Sequence, residues 1–307
     1  MADLPDEVID CHVHIFQTID GFGGQGELRS IGNGRARWVT GGEIQVLADK
    51  TDDCSYPKLL RLMEAHNISR AIMLQGPLLG FQNEYVHEAQ TACPGKLFGM
   101  GVFDPYAVHA GDIMRHFYED WHFLGFKFEV SESAGLMGCH PDFELDGRYM
   151  RPVWEYSNAK QLPVSIDMGT FGEKSMQIDR LANAARSYPD VRIVVEHLFF
   201  PHRDHYTEVE DALKLLAPFD NVWFTSAALA NSIMPEAYPY PSAIRYLQLV
   251  KQITGCGRLL WGSDIPLVLN GASYKELLEY IADARVFTDD ELENIYGKNA
   301  KLVYRLP

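Results

Sequence analysis

The chain has 307 residues, of which 47% are hydrophobic and 22% are charged, and its 27 basic and 42 acidic residues give a net charge of −15. These proportions are typical of a globular protein and exclude wholesale disorder. The negative charge argues against nucleic acid and anionic membrane surfaces as partners. The sequence shows no signal-peptide pattern and no apolar run of ~18 residues, and its five scattered cysteines form no CxxC pair, so we expect a cytoplasmic protein.

Short β-rich segments alternate with longer amphipathic segments along the chain. The predicted strands are Val8–Phe16, Arg70–Gln75, Leu97–Phe103, Gly125–Val130, Pro163–Asp167, Val191–His197, Asn221–Thr225 and Arg258–Asp264. The predicted helices are Tyr56–His66, Asn83–Cys93, Val108–Trp121, Met150–Lys160, Ser175–Ser187, Thr207–Ala217, Pro241–Thr254 and Tyr274–Asp283, with a last helix from Thr288. About eight β-then-α units predict an α/β fold, a single (β/α)8 TIM barrel formed by one domain over residues 1–307.

Two segments of this pattern are longer than simple connections. The Gly-rich stretch Gly21–Gly42 is interpreted as a loop that covers a site, so long rim loops are expected at about 17–54 and 131–147. An open doubly wound sheet is the alternative fold, but the first βα turn lacks the GxGxxG pattern of that class.

Polar residues alternate at the end of the first predicted strand. Residues at i, i+2 and i+4 share one face of a strand, so Asp10, His12 and His14 are expected to point into the barrel, with Cys11 and Val13 facing the helices. Two imidazoles on one face can converge on one metal ion, although an HxH pattern alone is a weak signal.

Other predicted strands also carry polar residues at their carboxyl ends, where the active site of a TIM barrel lies. These residues are Lys127, Asp167, His197 and Asp264. Burying a neutral polar group without a hydrogen-bond partner costs on the order of 2–7 kcal/mol, and an unpaired charged group at the end of an apolar strand costs more. A divalent cation with its bound water is a common partner that would satisfy all of them.

Several motifs together resemble one known family. They are Ile9–His14, Gly125–Phe128, Leu162–Val164, Ile193–His197, Asn221–Thr225, Leu260–Asp264 and Glu291–Ala300. Their order is similar to that of the amidohydrolase 2 branch of the amidohydrolase-related proteins, which contains aminocarboxymuconate-semialdehyde decarboxylase, resorcylate decarboxylases and lactonases. The resemblance implies that His12 and His14 are metal ligands, that Asp264 is a ligand and proton-transfer group, and that His197 is a ligand or a substrate polariser.

The chain departs from this family at strand five. Asp167 stands where the family usually has a histidine, so Asp167 is itself a candidate metal ligand. A second carboxylate makes the site more anionic, which shifts its preference from Zn²⁺ toward Mn²⁺ or Mg²⁺ or allows the metal to be lost. Alternatively, Asp167 orients a water or binds a substrate hydroxyl. We expect a divalent metal, Zn²⁺ or Mn²⁺, as the cofactor.

Two reactions are compatible with such a site. In a metal-dependent hydrolase, Asp264 acts as general base toward a metal-activated water and His197 polarises the carbonyl of a lactone, ester or amide. The alternative is a non-oxidative decarboxylase of an aromatic or muconate-type acid, and a third reading is a binding barrel with a degraded site. The family's decarboxylases rely on the strand-five histidine, so its absence favours hydrolysis.

Three basic residues are candidates for substrate binding. Lys127 could bind a substrate carboxylate, or pair with Glu129 or Asp167 instead. Arg203 and His202 follow strand six and could form a carboxylate clamp, unless Arg203 pairs with Asp204. We therefore expect a small anionic or cyclic substrate, and the resemblance also implies a homodimer.

Overall fold

The computed structural model describes residues 4–307. Its strands are β1 (Ile9–Val13), β2 (Asp20–Gly23), β3 (Gly26–Gly32), β4 (Arg35–Trp38), β5 (Glu43–Gln45), β6 (Arg70–Met73), β7 (Leu97–Gly99), β8 (Phe126–Glu129), β9 (Pro163–Asp167), β10 (Arg192–Val195), β11 (Val222–Thr225) and β12 (Leu259–Leu260). Its α-helices are α1 (Tyr56–Ala65), α2 (Asn83–Ala92), α3 (Ala110–Arg115), α4 (Leu136–Cys139), α5 (Arg151–Lys160), α6 (Ile178–Ser187), α7 (Tyr206–Leu216), α8 (Leu229–Ser232), α9 (Pro241–Ile253), α10 (Tyr274–Asp283), α11 (Asp289–Glu293) and α12 (Asn299–Tyr304).

The parallel strands form a closed barrel in chain order. One parallel sheet has the order β1-β6-β7 and the other runs from β8 to β12. A bridge between Gly101 and Phe126 joins the sheets on one side, and a bridge between Val13 and Ile265 joins them on the other. The predicted TIM barrel is therefore confirmed.

The lower part of the barrel is filled with apolar side chains. Its interior cluster includes Ile9, Cys11, Ile72, Leu74, Met100, Val194, Trp223 and Leu260. Val303 and Tyr304 of α12 pack against this cluster and close the barrel at the amino ends of the strands. Polar residues lie at the opposite end of the barrel, at the carboxyl ends of the strands. No helix within residues 4–307 has the length and apolar character needed to cross a membrane.

The first strand differs from its predicted alternation. The pairing of β1 with β6 slips between Asp10 and Val13, where β1 has one more residue than its partner. This β-bulge changes which residues share a face, so Cys11 and His12 both lie on the interior side. The expectation that Asp10 points with the two histidines is therefore wrong. Its carboxylate accepts hydrogen bonds from the Tyr274 hydroxyl at 2.8 Å and the Ser263 amide at 2.9 Å.

The Gly-rich segment predicted as a loop is a sheet instead. Strands β2, β3, β4 and β5 form an antiparallel sheet over residues 20–45. Residues alternate between exposed and buried along β4, and Ala36 and Trp38 enter a small separate core with Leu28. Two features stabilise this segment: the antiparallel pairing of its strands and the burial of one face of the sheet. The other predicted rim loop, 131–147, contains the short helix α4.

Candidate active site

A cavity of about 300 Å³ opens at the carboxyl ends of the barrel strands. Its wall is formed by His14, Gly76, Leu78, Leu79, Lys127, Glu129, Ser131, Ser133, Ala134, Asp167, Gly169, Thr170, Glu173, His197, Phe200, Asn231, Asp264 and Leu267. The cavity is thus located where a TIM barrel places its active site.

Three side chains meet at the base of this cavity. The Nε2 atom of His12 lies 3.2 Å from Nε2 of His14 and 3.2 Å from Oδ1 of Asp264. The Nε2 atom of His14 lies 3.0 Å from the same Asp264 oxygen. The bulge in β1 brings both histidines to the interior, and Asp264 follows β12, so the first and last barrel strands supply this triangle. His12, His197 and Asp264 also offer ligand atoms within 4.8 Å of one another.

A buried carboxylate behind the triangle fixes the proton position on His12. The Nδ1 atom of His12 donates to Oε2 of Glu196 at 2.8 Å, which leaves Nε2 with its lone pair directed at the cavity. Glu196 also accepts hydrogen bonds from the hydroxyls of Ser165 and Thr225. Burial opposes ionisation of Glu196, but His12, His197 and the hydrogen bond from Ser165 keep its pKa below the ordinary value.

The donor set fits a divalent cation. Burial lowers the pKa of His12 to about 4, so its Nε2 atom carries no proton at neutral pH. This lone-pair atom nevertheless faces an oxygen of Asp264 at 3.2 Å, and two acceptors at that distance repel unless a positive charge lies between them. Ligand atoms bound at about 2.1 Å to one ion stand roughly 3.0–3.4 Å apart in octahedral or tetrahedral arrangements, as these atoms do.

His197 projects from an unusual backbone turn. Residues His197, Leu198, Phe199 and Phe200 all have positive φ, at 57°, 47°, 70° and 44°. Left-handed conformation costs roughly 1–2 kcal/mol for each such residue. The burial of Leu198 and Phe199 helps to offset that cost. The turn directs His197 back over the barrel, with its ring centroid 4.8 Å from that of His12.

The ring of His197 lies between a carbonyl group and two carboxylates. Its Nδ1 atom donates to the carbonyl oxygen of Ala227 at 3.0 Å, and its Nε2 atom lies 3.4 Å from Oδ2 of Asp167. Burial lowers the pKa of His197, but Asp167 and Asp264 outweigh it and raise that pKa to about 10. In turn, burial opposes ionisation of Asp167, but His197 keeps its pKa well below the usual range.

Lys127 and Glu129 extend the polar wall along β8. Lys127 is 2% exposed and faces the cavity, and within residues 4–307 no carboxylate oxygen lies within ion-pair distance of its Nζ atom. Burial raises the pKa of Glu129 to about 7. Ser131 donates to Glu129 at 3.2 Å. The alternative salt bridge of Lys127 with Glu129 or Asp167 is therefore not formed in the described chain.

The structure does not bring Arg203 and His202 to the cavity. Both are exposed in the turn that precedes α7. The left-handed turn ends at Phe200, and the carbonyl oxygen of His202 beyond it accepts a hydrogen bond from the Tyr246 hydroxyl of α9. The predicted role of these two residues in substrate binding lacks structural support.

Several residues in and behind the cavity were not predicted from the sequence. Glu196 directly precedes His197 and Glu129 lies two residues after Lys127, and the location of both at strand ends is the available signal. Glu173 and Ser165 have no such signal, because hydroxyls and carboxylates are common in strands and loops, and Thr225 ends a strand but carries no charge. Their proximity depends on how neighbouring strands are paired.

Comparison with solved structures shows the same fold. An amidohydrolase from Burkholderia multivorans aligns over 98% of this chain and 100% of its own, at 18% identity and a TM-score of 0.74 with HEPES bound. The zinc-bound form of that protein aligns over the same shares, at 19% identity and a TM-score of 0.71.

Two further structures are a hydrolase and a decarboxylase by name. A probable 2-pyrone-4,6-dicarboxylic acid hydrolase from Acinetobacter baumannii aligns over 97% of this chain and 99% of its own, at 15% identity and a TM-score of 0.70. The 5-carboxyvanillate decarboxylase of Sphingomonas paucimobilis aligns over 81% of this chain and 83% of its own, at 16% identity and a TM-score of 0.58. A search of curated protein sequences finds no match.

The sequence model described as amidohydrolase (Amidohydro_2) matches residues 9–306, nearly the whole described chain. This match covers both the histidines of β1 and the aspartate after β12. It confirms the resemblance inferred from the motifs, and the members of this family are enzymes. The chain therefore belongs to the amidohydrolase family of Amidohydro_2 type.

Proposed function

We propose that this enzyme is a metal-dependent hydrolase that opens a small cyclic ester, a lactone. The observation that carries the proposal is the charge of the cavity wall. Glu129, Asp167, Glu173 and Asp264 line it, while Lys127 is its one lysine and no arginine within residues 4–307 reaches it. A wall rich in carboxylates disfavours an aromatic acid that must bind through its own carboxylate.

His12, His14 and Asp264 would hold the metal in this proposal. Their ligand atoms form the tight triangle described above, and the hydrogen bond to Glu196 prepares His12 for ligation. A bound divalent cation supplies a Lewis acid that polarises a carbonyl and lowers the pKa of water.

Asp264 is the proton-transfer group. Although burial raises its pKa, the imidazoles of His197 and His12 lower it to about 2, so Asp264 is ionised at neutral pH. It accepts the proton of the attacking water as the new C–O bond forms. It then returns that proton to the ring oxygen as the ester C–O bond breaks, which yields a hydroxy acid.

His197 polarises the substrate carbonyl. Its Nδ1 atom is occupied by Ala227, and the carboxylates that raise its pKa keep Nε2 protonated at neutral pH. A fixed cationic donor aimed at the cavity stabilises the negative charge that develops on the carbonyl oxygen during attack. Asp167 holds this donor in place, which gives the aspartate a role that does not require metal ligation.

The remaining wall favours a substrate that carries hydroxyl groups. Ser131, Ser133, Thr170, Asn231 and Glu173 line the cavity and offer hydrogen-bond partners for such groups. Leu78, Leu79, Leu267 and Phe200 supply apolar contacts for a ring. We therefore propose a small, hydroxylated lactone that is neutral or carries a single negative charge, which Lys127 would bind.

Decarboxylation is the second candidate because of Lys127. A buried ammonium group with no ion pair in the described chain is a partner for one substrate carboxylate. Chelation by metal and lysine together could hold an aromatic acid. Its carboxylate would then lie beside those of Asp167 and Glu129.

A product assay on two substrate panels separates these candidates. The metal-loaded enzyme is incubated with neutral and singly charged lactones and, separately, with hydroxybenzoates. We expect proton release and ring-opened hydroxy acids from one or more lactones, and no carbon dioxide from hydroxybenzoates. Release of carbon dioxide, with no lactone opened, would overturn the proposed reaction in favour of decarboxylation.

A further inference from the structure

The hydroxyl of Thr225 forms hydrogen bonds both with the carboxylate of Glu196, which binds His12, and with the backbone of His197. Thr225 is the last residue of β11 and is fully buried. Its Oγ1 atom donates to Oε2 of Glu196 at 2.7 Å, and the same Glu196 oxygen accepts from Nδ1 of His12 at 2.8 Å. Oγ1 also accepts a hydrogen bond from the backbone amide of His197 at 3.0 Å.

The direction of each hydrogen bond follows from the atoms involved. A backbone amide can only donate, so the Thr225 oxygen must accept from His197. The Oε2 atom of Glu196 is a carboxylate oxygen that also accepts from Nδ1 of His12, so the single hydroxyl proton of Thr225 points to this oxygen. One hydroxyl is thereby fixed in one orientation, and neither contact can be reversed.

This hydroxyl also anchors one end of the left-handed turn. The turn begins at His197, whose amide is bound by Thr225, and ends at Phe200, whose carbonyl oxygen accepts from the Thr170 hydroxyl at 2.9 Å. Conformations of this kind persist where the surrounding structure holds them in place. The orientation of His197 therefore depends on threonine side chains from two other segments.

We propose that Thr225 is a positioning residue that sets His12, through Glu196, and His197, through its backbone amide. This inference rests on the proposed function, because it takes His12 as a metal ligand and His197 as the carbonyl polariser. Loss of the hydroxyl would remove one hydrogen bond from the support of each imidazole at once, whereas the methyl group of Thr225 has no part in either contact.

The first measurement is zinc affinity by isothermal titration calorimetry. Thr225→Val keeps the volume and removes the hydroxyl, and Thr225→Ser keeps the hydroxyl. We expect zinc to bind about tenfold or more weakly to the valine variant, in line with the loss of outer-shell partners at metal sites, and within about twofold of wild type to the serine variant. Unchanged affinity in the valine variant, or a serine variant as weak as valine, would overturn the inference.

The second measurement is the nitrogen and proton NMR signals of the His197 ring in metal-free protein. We expect these signals to shift or broaden in Thr225→Val and to return in Thr225→Ser. Ser165→Ala is the matched control, because Ser165 also donates to Glu196 but makes no hydrogen bond to His197 within the described chain. An equal shift in Ser165→Ala would contradict a direct action of Thr225 on His197.

The two measurements also separate this inference from the proposed function. If wild type binds no zinc, the metal proposal fails, while the NMR comparison still tests the link between Thr225 and His197. If wild type binds zinc and Thr225→Val matches it in both measurements, the inference fails and the proposed function stands.

Discussion

His12 is the residue on which the proposed site depends most. It contacts Glu196, His14 and Asp264, and it is completely buried. A buried neutral imidazole of this kind is held in one tautomer by its carboxylate partner. Its free nitrogen faces a carboxylate oxygen, which is an unfavourable contact that a cation relieves.

The roles of His12 and His197 can be separated by substitution. We expect His12→Ala to lose stoichiometric metal, because the triangle of ligand atoms is broken. His197→Asn keeps a donor for the Ala227 carbonyl, and we expect it to retain metal while kcat falls about 10²–10³-fold, as for loss of an oxyanion donor. Metal content and kcat are measured on the same samples. Loss of metal from His197→Asn would instead make His197 a ligand.

Lys127 is expected to select for substrate charge. For a lactone with one carboxylate, we expect Lys127→Met to raise KM about tenfold or more, because a charge-assisted hydrogen bond contributes roughly 1.5–3 kcal/mol. KM for a neutral lactone should change much less. Arg203→Met is the control, since Arg203 is exposed and outside the cavity. Equal increases for both lactones, or the same effect from Arg203→Met, would contradict this role.

Glu129 should make the metal-free fold less stable as the pH rises. Burial raises its pKa to about 7, above the ~4.3 of an unfolded chain. Folding thus favours the protonated form of Glu129. The contribution of this group to the free energy of unfolding is complete below about pH 4 and is lost as the pH rises through 7.

Urea unfolding of wild type and Glu129→Gln between pH 4 and 8 measures this contribution. We expect the free energy of unfolding of wild type to fall relative to the variant by roughly 1–3 kcal/mol over this range. The difference between the two curves removes the effects of other titrating groups. Parallel curves would show that Glu129 does not titrate in this way.

At the scale of elements, the bulge in β1 decides which side chains enter the site. Strict alternation from His12 would place Asp10 beside it and Cys11 outside. The extra residue in β1 instead brings Cys11 and His12 to the interior and leaves Asp10 bound to Tyr274. The positions of His12 and His14 could be predicted from the HxH pattern, but the bulge could not, because it depends on pairing with β6.

The left-handed turn after β10 also escapes prediction from sequence. His197 was predicted as a site residue from its place at a strand end. The run from His197 to Phe200 contains no glycine, which is the usual signal for positive φ. The turn exists because buried contacts and distant hydroxyls hold it, and such contacts are defined by the tertiary fold.

The antiparallel sheet β2–β5 forms part of the cavity's surroundings. Gly21 packs so closely on the backbone of Leu78 that a Cβ atom would overlap its carbonyl oxygen. Leu78 in turn lines the cavity. At Gly21, the absence of a side chain thus permits close contact between this sheet and the turn after β6.

Gly21→Ala tests this contact. We expect the free energy of unfolding to fall by about 1–3 kcal/mol, as in overpacked sites, and kcat/KM to decrease because Leu78 must move. Gly257→Ala is the control, since a Cβ atom there would meet no described residue within 4 Å. Chemical denaturation and steady-state kinetics measure the two effects. A Gly21→Ala protein that matches Gly257→Ala in both would show that the sheet does not support the cavity wall.

At the scale of the whole molecule, the proposed metal site lies where the first and last strands of the barrel meet. His12 lies in β1, His14 directly follows it, and Asp264 lies four residues after β12. These two strands are otherwise joined by backbone contacts such as the hydrogen bond from His14 N to Ile265 O at 2.9 Å. A metal that bound the native state alone would stabilise the closed barrel by mass action. The net charge of −15 does not prevent this, because the negative groups at the site attract a cation.

The central claim is that lactone opening depends on a metal held by His12, His14 and Asp264. The most direct measurement is the rate of lactone hydrolysis by native, chelator-stripped and zinc- or manganese-reconstituted enzyme, with metal content determined on each sample. We predict that stripping abolishes hydrolysis, that reconstitution restores it in proportion to bound metal, and that His12→Ala is not restored. Full activity in enzyme shown to hold no metal would contradict the account.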